Sequence, residues 1–344
     1  MLSSRIADAF GQSRGYLDTA SYGLPARATV QALHAATDSW ATGAMDPADA
    51  DAAVERLRTA FASLVGARAQ DVALAGSTSQ IVGMTAASLP DGARVLVAEG
   101  DFGSLVRPFL ADPRLTVQAV PLAALIDSIG PGVDLVAVSA AQSRNGALID
   151  LHGLATAAAA TGVRTLVDVT QSTPWLPIDA TQFDIVVASA YKWLNAPRGI
   201  ALAAVRASAS WLRPVCASWY GSDEPWANLY ASEGLSDRAR RLDTSPPWQL
   251  CEAAAVALEI HAREDRAATH AHCVGLADAF RAELGMPPAR SAIVSLSAEP
   301  GDLAAAGIRA ASRDGRVRLS FHVYNDAVDV QRAVSVLWPA LAAA

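Results

Sequence analysis

Of the 27 lysines and arginines in this 344-residue chain, only Lys192 is a lysine. A chain so rich in Arg and Ala has replaced lysine wherever charge alone is wanted, so the survivor marks a place where arginine fails. Guanidinium stays protonated in proteins, whereas a desolvated amine can lose its proton and form a Schiff base with a carbonyl. Lys192 is therefore a candidate imine former; the competing reading is a chance survivor on the surface. Asp168, in TLVDVTQS, closes an apolar run. A carboxylate there needs a partner, because an unpaired buried charge is costly. A protonated pyridine nitrogen would serve, and so would a helix start or a buried ion pair. Gln171 follows three residues on, and Lys192 stands at the end of the next apolar run, FDIVVASAYK. In open α/β sheets ligands bind at the carboxyl ends of strands. Two adjoining strands ending in this carboxylate and this amine would hold a flat heteroaromatic aldehyde between them.

Two further pieces lie at strand-like ends. Gly76-Ser77-Thr78-Ser79-Gln80 joins an apolar run to a helical pattern. Hydroxyls and free backbone N–H groups at a helix start bind anions, although Ser and Thr there are also ordinary N-caps. Beside Asp168 and Lys192 this stretch reads as a phosphate seat, completed by Ser189. Phe102, in Asp101-Phe102-Gly103-Ser104, could stack on a flat ring; a Phe in such a place is also ordinary core.

The elements that must position these residues alternate. Strand patterns fall at 72–75, 93–99, 115–120, 133–139, 164–169, 184–189 and 199–205, with helical stretches at 78–88, 103–111 and 151–161. Such alternation predicts a mostly parallel seven-stranded sheet covered on both faces. Ahead of it, the turn-rich Gly15–Pro25 reads as an extended strap. Helical patterns follow at 29–40 and 50–64, the second with Val54, Leu57, Phe61 and Leu64 on one face. Residues 207–240 are irregular and aromatic, either a site rim, a subunit contact or an ordinary packed loop. A helix or helix pair over 249–278, a strand at 291–299, a helix near 301–311, a strand at 317–323 and a last helix from 327 make an α+β lobe. The expected division is a large domain over 36–239 and a small one from 1–35 and 240–344.

Composition bounds the function. With 52% apolar residues the chain can bury a large core. Its net charge of −7 gives no basis for binding nucleic acid or an anionic membrane surface. No apolar run reaches membrane-spanning length, and the N-terminal stretch has no secretory h-region. Cys216, Cys251 and Cys273 show no pairing or metal spacing, so a reduced cytoplasmic setting is expected.

The motifs YLDTASYGLP, GSTSQ, EGDFGS, VDVTQS, SAYKWLNAPRG and VRLSFHVYN together resemble the class V aminotransferase group of fold-type I pyridoxal-phosphate enzymes. That group includes cysteine desulfurases, kynureninase, isopenicillin-N epimerase-like proteins and hercynylcysteine sulfoxide lyase. The resemblance covers nearly the whole chain. It implies that Lys192 holds pyridoxal 5′-phosphate as a Schiff base, that Asp168 faces the pyridine nitrogen and that Gln171 neighbours the phenolic oxygen. Thr78, Ser189 and Tyr191 are implied as phosphate ligands, with Ser77 adding its backbone N–H, and Phe102 as the stacking ring. Ser245 resembles a hydroxyl given to the phosphate by a second subunit, which implies a homodimer. Arg318 resembles the fork that clamps the substrate's α-carboxylate.

Departures from the family pattern bear on the reaction. Desulfurases carry a catalytic cysteine shortly before the position of Arg318, and residues 298–317 contain none. Burial is the reading for all three cysteines. Ala140 stands where the pattern has Asn, and the SAAQSRNG segment offers Gln142, Arg144 or Asn145 instead. His270 and His272 are two apart on a helix and point to different faces, so no metal is expected. The resemblance implies an enzyme acting on an amino acid with a free α-carboxylate, a C–S lyase working by β-elimination. The alternatives are an aminotransferase, an epimerase-like enzyme or a non-catalytic cofactor-binding homologue.

Overall fold

The computed structural model describes residues 2, 4–11, 13–227, 229–230, 234–298 and 301–342. Seven strands form the larger sheet: β1 Val72–Ala75, β2 Arg94–Ala98, β3 Thr116–Val120, β4 Leu135–Ser139, β5 Arg164–Asp168, β6 Ile185–Ser189 and β7 Ala201–Val205. Each lies within one of the expected apolar runs. Their spatial order is β3-β2-β4-β5-β6-β7-β1. Only β7 runs against its neighbours; the pairs from β3 through to β6 are parallel. The central strands are buried along almost their full length, as a sheet covered on both faces requires. The edge strand β3 is the polar exception.

Among the described residues ten α-helices accompany the strands. In chain order they are α1 Ser4–Ala9, α2 Arg27–Ala41, α3 Pro47–Val65, α4 Thr78–Ser88, α5 Gly103–Leu110, α6 Leu151–Thr161, α7 Trp248–Ala262, α8 Arg266–Glu283, α9 Gly301–Ala305 and α10 Ala327–Ala342. Helix α3 shows why the boundaries fall where they do. Asp46 accepts from Ala48 N–H at its start, Pro47 occupies the first turn, and Gly66 closes it at φ +74°. Its Val54, Leu57, Phe61 and Leu64 are all buried. On one face of the sheet Leu74, Val136, Val138, Val167 and Val186 share a core with α3 and with Cys251, Ala254 and Leu258 of α7. On the other, Ala73, Val95, Leu135, Leu166 and Ile185 pack on Ile81 of α4 and Leu105 and Phe109 of α5. No helix among the described residues is long and apolar enough to cross a membrane.

The smaller sheet is antiparallel: β8 Ile293–Leu296, β9 Ala311–Arg313 and β10 Arg316–Ser320, with β10 central. Its Val294, Leu296, Val317 and Leu319 meet Phe280 of α8 and Val330 and Ala333 of α10. The boundary expected at residue 240 falls ahead of α7, which packs in the core of the large sheet. The helix expected near 301–311 is only the short α9, and strand β9 takes the place of its end. Glu299, the last residue of the strand expected at 291–299, lies outside the described residues.

The strap, with a turn at 19–21, links the small sheet to the loop beyond β6. Leu17 N–H donates to Arg309 O at 2.8 Å, Ser320 N–H to Leu17 O at 2.9 Å, and Gly23 N–H to Tyr191 O at 3.0 Å. In the irregular aromatic segment, Tyr220 Oη donates to the Asp51 carboxylate at 2.8 Å, and Trp226 Nε1 and Trp248 Nε1 donate to the same group. Asn228 and residues 231–233 of this segment lie outside the described residues.

Candidate active site

Strands β5 and β6 are paired in parallel, with Asp168 opposite Val187. Asp168 and Lys192 thus emerge at one end of the sheet, each about 4% exposed. Beyond β6 the chain folds into a compact loop, held by Ala190 N–H to Ile200 O, Asn195 N–H to Lys192 O and Ala196 N–H to Ala190 O. Asn195 closes the turn at φ +54°, a region Asn tolerates better than most residues. Its side-chain oxygen lies 2.7 Å from His261 Nε2. His322 Nδ1 accepts from Val323 N–H, so Nε2 carries the proton and donates to Trp193 O at 2.8 Å. The strap presses on the same loop from outside. A Cβ on Gly23 would stand 1.9 Å from the Lys192 carbonyl oxygen, so only glycine fits.

These elements line a cavity with an open mouth. Its wall brings together Ser77, Thr78, Phe102, Asp168, Gln171, Ser189, Tyr191 and Lys192, eight of the residues singled out in the sequence. Ser77 caps α4, and Thr78 opens it. The hydroxyls of Thr78 and Ser189 hydrogen-bond at 2.8 Å, and Ser189 N–H donates to Thr170 Oγ1 at 2.9 Å. Phe102 is held by Asp101, whose carboxylate accepts from Phe102 N–H and from the N–H and hydroxyl of Ser139. The Lys192 Nζ lies 4.8 Å from the Phe102 ring centre and 5.7 Å from that of Tyr191. Arg198, which sequence reading passed over as part of a turn, stacks on Tyr191 at 4.8 Å and lines the cavity.

Burial governs the electrostatics. It pushes Asp168 up to about 6, against the Thr170 hydrogen bonds and the Lys192 charge that pull it down. Burial lowers Lys192 to about 8; Asp168 opposes this, and Arg318, Arg313 and Arg198 add to it. The cavity therefore holds an amine that is easily deprotonated and a carboxylate that a cation would stabilise.

Two residues that the family resemblance assigns to the site, Arg318 and Ser245, lie off this wall, as do Gln142, Arg144 and Asn145. Arg318 is about 1% exposed and sits behind Ser143. Its Nη1 donates to the carbonyl and hydroxyl of Ser143, and its Nη2 donates to Ser21 Oγ at 2.8 Å. Among the described residues its Nε has no hydrogen-bond partner, and burial lowers the guanidinium to about 10. Ser245 is exposed and lies off the cavity wall of its own chain. Ser143 is the residue the sequence missed, although its neighbours Gln142, Arg144 and Asn145 were considered. It lines the cavity and accepts from Gln171 Nε2 at 2.9 Å. Cys251 and Cys273 are buried, but Cys216 is exposed, because it falls in the irregular segment after β7 rather than on a core element. His270 Nδ1 bonds to Trp175 O and His272 Nε2 to Asn325 O, so their rings face different partners.

The residues present fit pyridoxal phosphate. Asp168 is a desolvated carboxylate suited to a ring N–H⁺, Lys192 a desolvated amine suited to an aldehyde, and the Thr78–Ser189 hydroxyl pair at the start of α4 suits a phosphate.

The architecture is the α/β fold-type I arrangement. Superposed on the cysteine desulfurase CsdA from Escherichia coli, it gives a TM-score of 0.82 at 20% identity, covering 99% of this chain and 98% of the other. The chain belongs to the aminotransferase class-V family, whose model matches residues 31–284, and with that membership come an enzyme's role and pyridoxal phosphate as cofactor. It is 27% identical over 314 residues to a Bacillus subtilis (strain 168) protein named as an uncharacterized aminotransferase, YcbU, covering 81% of this chain and 82% of that one. It is 26% identical over 290 residues to a kynureninase of Deinococcus radiodurans, covering 77% and 70%.

Proposed function

We propose that this chain acts on an amino acid with a free α-carboxylate, through Lys192, by β-elimination of the C–S lyase type. The observation that carries the reading is the pairing of a buried amine and a buried carboxylate at adjoining strand ends of one cavity. When bound, pyridoxal phosphate supplies an aldehyde that takes up an amine and a ring that draws electrons from the attached carbon. Lys192 then carries the cofactor between turnovers and moves a proton at the substrate Cα. A pKa of about 8 lets it both accept and donate near neutral pH. Asp168 keeps a proton on the ring nitrogen. Thr78 and Ser189, with Ser77 and Tyr191, bind the phosphate, Gln171 neighbours the phenolic oxygen and Phe102 covers the ring. Arg318 anchors the substrate carboxylate. Ser245 reaches the site of a second copy, so the working unit is a homodimer. The three unpaired cysteines support a reducing, cytoplasmic setting.

Persulfide formation needs a nucleophilic thiol at the site. None of Cys216, Cys251 and Cys273 is on the cavity wall, and burial raises Cys251 to about 12. This supports elimination over sulfur transfer to a cysteine. Transamination is the second reading, favoured by likeness along most of the chain to a protein named as an aminotransferase.

The test uses the purified protein and its Lys192→Ala variant. A visible absorption band lost in the variant is expected, together with release of pyruvate and ammonia from S-substituted cysteines without any keto acid. No release across a broad panel, with conversion only when a keto acid is added, would replace elimination by transamination.

A further inference from the structure

Three arginines share one face of the β9–β10 hairpin. Arg313 and Arg316 are direct cross-strand partners, and Arg318 pairs with Ala311 further along. Side chains alternate across a strand. Val317 and Leu319 enter the core against α8 and α10, so Arg316 and Arg318 project to the opposite face, with Arg313 beside them. Like charges directly opposite on a sheet are destabilising. The hairpin's own carboxylate, Asp314, pairs with Arg144 at 2.9 Å, and Asp18 pairs with Arg309 at 3.7 Å. The three guanidinium groups donate instead to neutral oxygens. Arg316 meets Ser295 and Ser297, Arg318 meets Ser143 and Ser21, and Arg313 meets Ser312 O and Ser21.

Arg313 continues outward from the site. The Ser21 hydroxyl accepts from Arg318 at 2.8 Å and from Arg313 at 3.0 Å. Arg318 is buried and Arg313 is exposed. Beyond Arg313 lies a second, open cavity, walled by Arg313, Arg316, Arg281, Ser295 and the Arg144–Asp314 ion pair. One loop separates it from the Lys192 cavity: Ser143 faces the first, and Arg144 and Asn145 face the second.

Resting on the function proposed above, we propose that the amino acid substrate carries a second anionic group, a carboxylate or sulfonate, at the far end of its side chain. Arg313 receives that group with Arg316 beside it, while Arg318 takes the α-carboxylate. A guanidinium fork matches such a group in shape as well as charge. A neutral side chain would leave the Arg313–Arg316 pair uncompensated, so the two arginines select against it. Arg313 is thus a specificity residue.

Calorimetric titration of the protein as purified tests this, with dicarboxylates from succinate to suberate against monocarboxylates of equal length. At one length the diacid is expected to bind about tenfold tighter. Arg313→Met should abolish that preference while leaving monoacid binding in place; Arg313→Lys should retain part of it, and Arg318→Met should weaken both acids. Equal binding of diacids and monoacids at every length, or a preference that survives Arg313→Met, would overturn the proposal. The visible band, recorded on the same samples, reports on the cofactor independently. Its absence would count against the function proposed above, and the calorimetric preference decides the second-anion claim in either case.

Discussion

Ser143 caps the guanidinium of Arg318 with both its carbonyl and its hydroxyl. The same hydroxyl accepts from Gln171 Nε2, and Gln171 Oε1 accepts from Trp193 Nε1 beside Lys192. One serine therefore joins the Arg318 guanidinium to the loop that carries Lys192. Ser143→Ala keeps the carbonyl contact and deletes the hydroxyl. The expected outcome is a rise in KM of about tenfold with a smaller change in kcat. Steady-state kinetics checks it, and an unchanged KM would show that the hydroxyl does not position Arg318.

Lys192 and Asp168 give the cofactor-free protein opposite pH slopes. The folded pKa of Lys192, about 8, lies below its ordinary 10.5. Between these values the unfolded chain holds a proton that the folded one has released, so stability rises with pH across that window. The folded pKa of Asp168, about 6, lies above its ordinary 3.8. There the folded protein holds the extra proton, so stability falls as pH climbs between the two. Urea unfolding at a series of pH values should lose the alkaline rise in Lys192→Met and the acidic fall in Asp168→Asn. Curves parallel to wild type would contradict both assignments.

Gly23→Ala would set a methyl group 1.9 Å from the Lys192 carbonyl and 2.6 Å from Asn195 Nδ2. Backbone atoms must move to admit it. The expected cost is about 3 kcal/mol, with weaker retention of the cofactor as the lysine loop shifts. Thermal melting and equilibrium dialysis of cofactor measure the two effects; a fully stable variant would mean that the strap yields and the loop does not.

Asp51→Ala removes the acceptor shared by Tyr220, Trp226 and Trp248. Losing hydrogen bonds to a charged group costs about 2–3 kcal/mol. The segment around Trp219–Trp226 should then become a site of early proteolytic cleavage, and its tryptophan emission should shift to the red. Digestion no faster than wild type would show that ring packing alone, such as Trp226 on Trp248 at 6.1 Å, holds the segment.

The central strands were legible because Val, Ile, Leu and Ala fill both faces of β4, β6 and β7, and an uninterrupted apolar run has few other folds available. Lys192 stood out by its rarity and Asp168 by its place at the end of such a run. Strand β9 left no signal, since Ala311-Ser312-Arg313 is short and largely exposed, and its pairing depends on a partner rather than on its own pattern. The break between α7 and α8 was half legible. Asp265 caps α8 by accepting from Ala268 N–H, but nothing in the apolar spacing places the stop. Ser143 escaped notice because a serine in a polar loop looks like any turn residue. Its role comes from Gln171 and Arg318, 28 and 175 residues away. Cys216 was misjudged from the general tendency of free cysteine to be buried, which does not hold in a segment without a core face.

The strap has a consequence for how the molecule is made. Leu17 accepts from Ser320, 303 residues further along the chain, and Gly23 waits for the loop that carries Lys192. Contacts so distant in sequence form late and slowly. During synthesis the large sheet can assemble first, while the lysine loop stays uncovered until β10 has been made. A ribosome-stalled chain ending before residue 316 should therefore hold a folded sheet whose lysine loop is open to proteolytic cleavage, and the same loop should become resistant once the last strand emerges and His322 reaches Trp193 O.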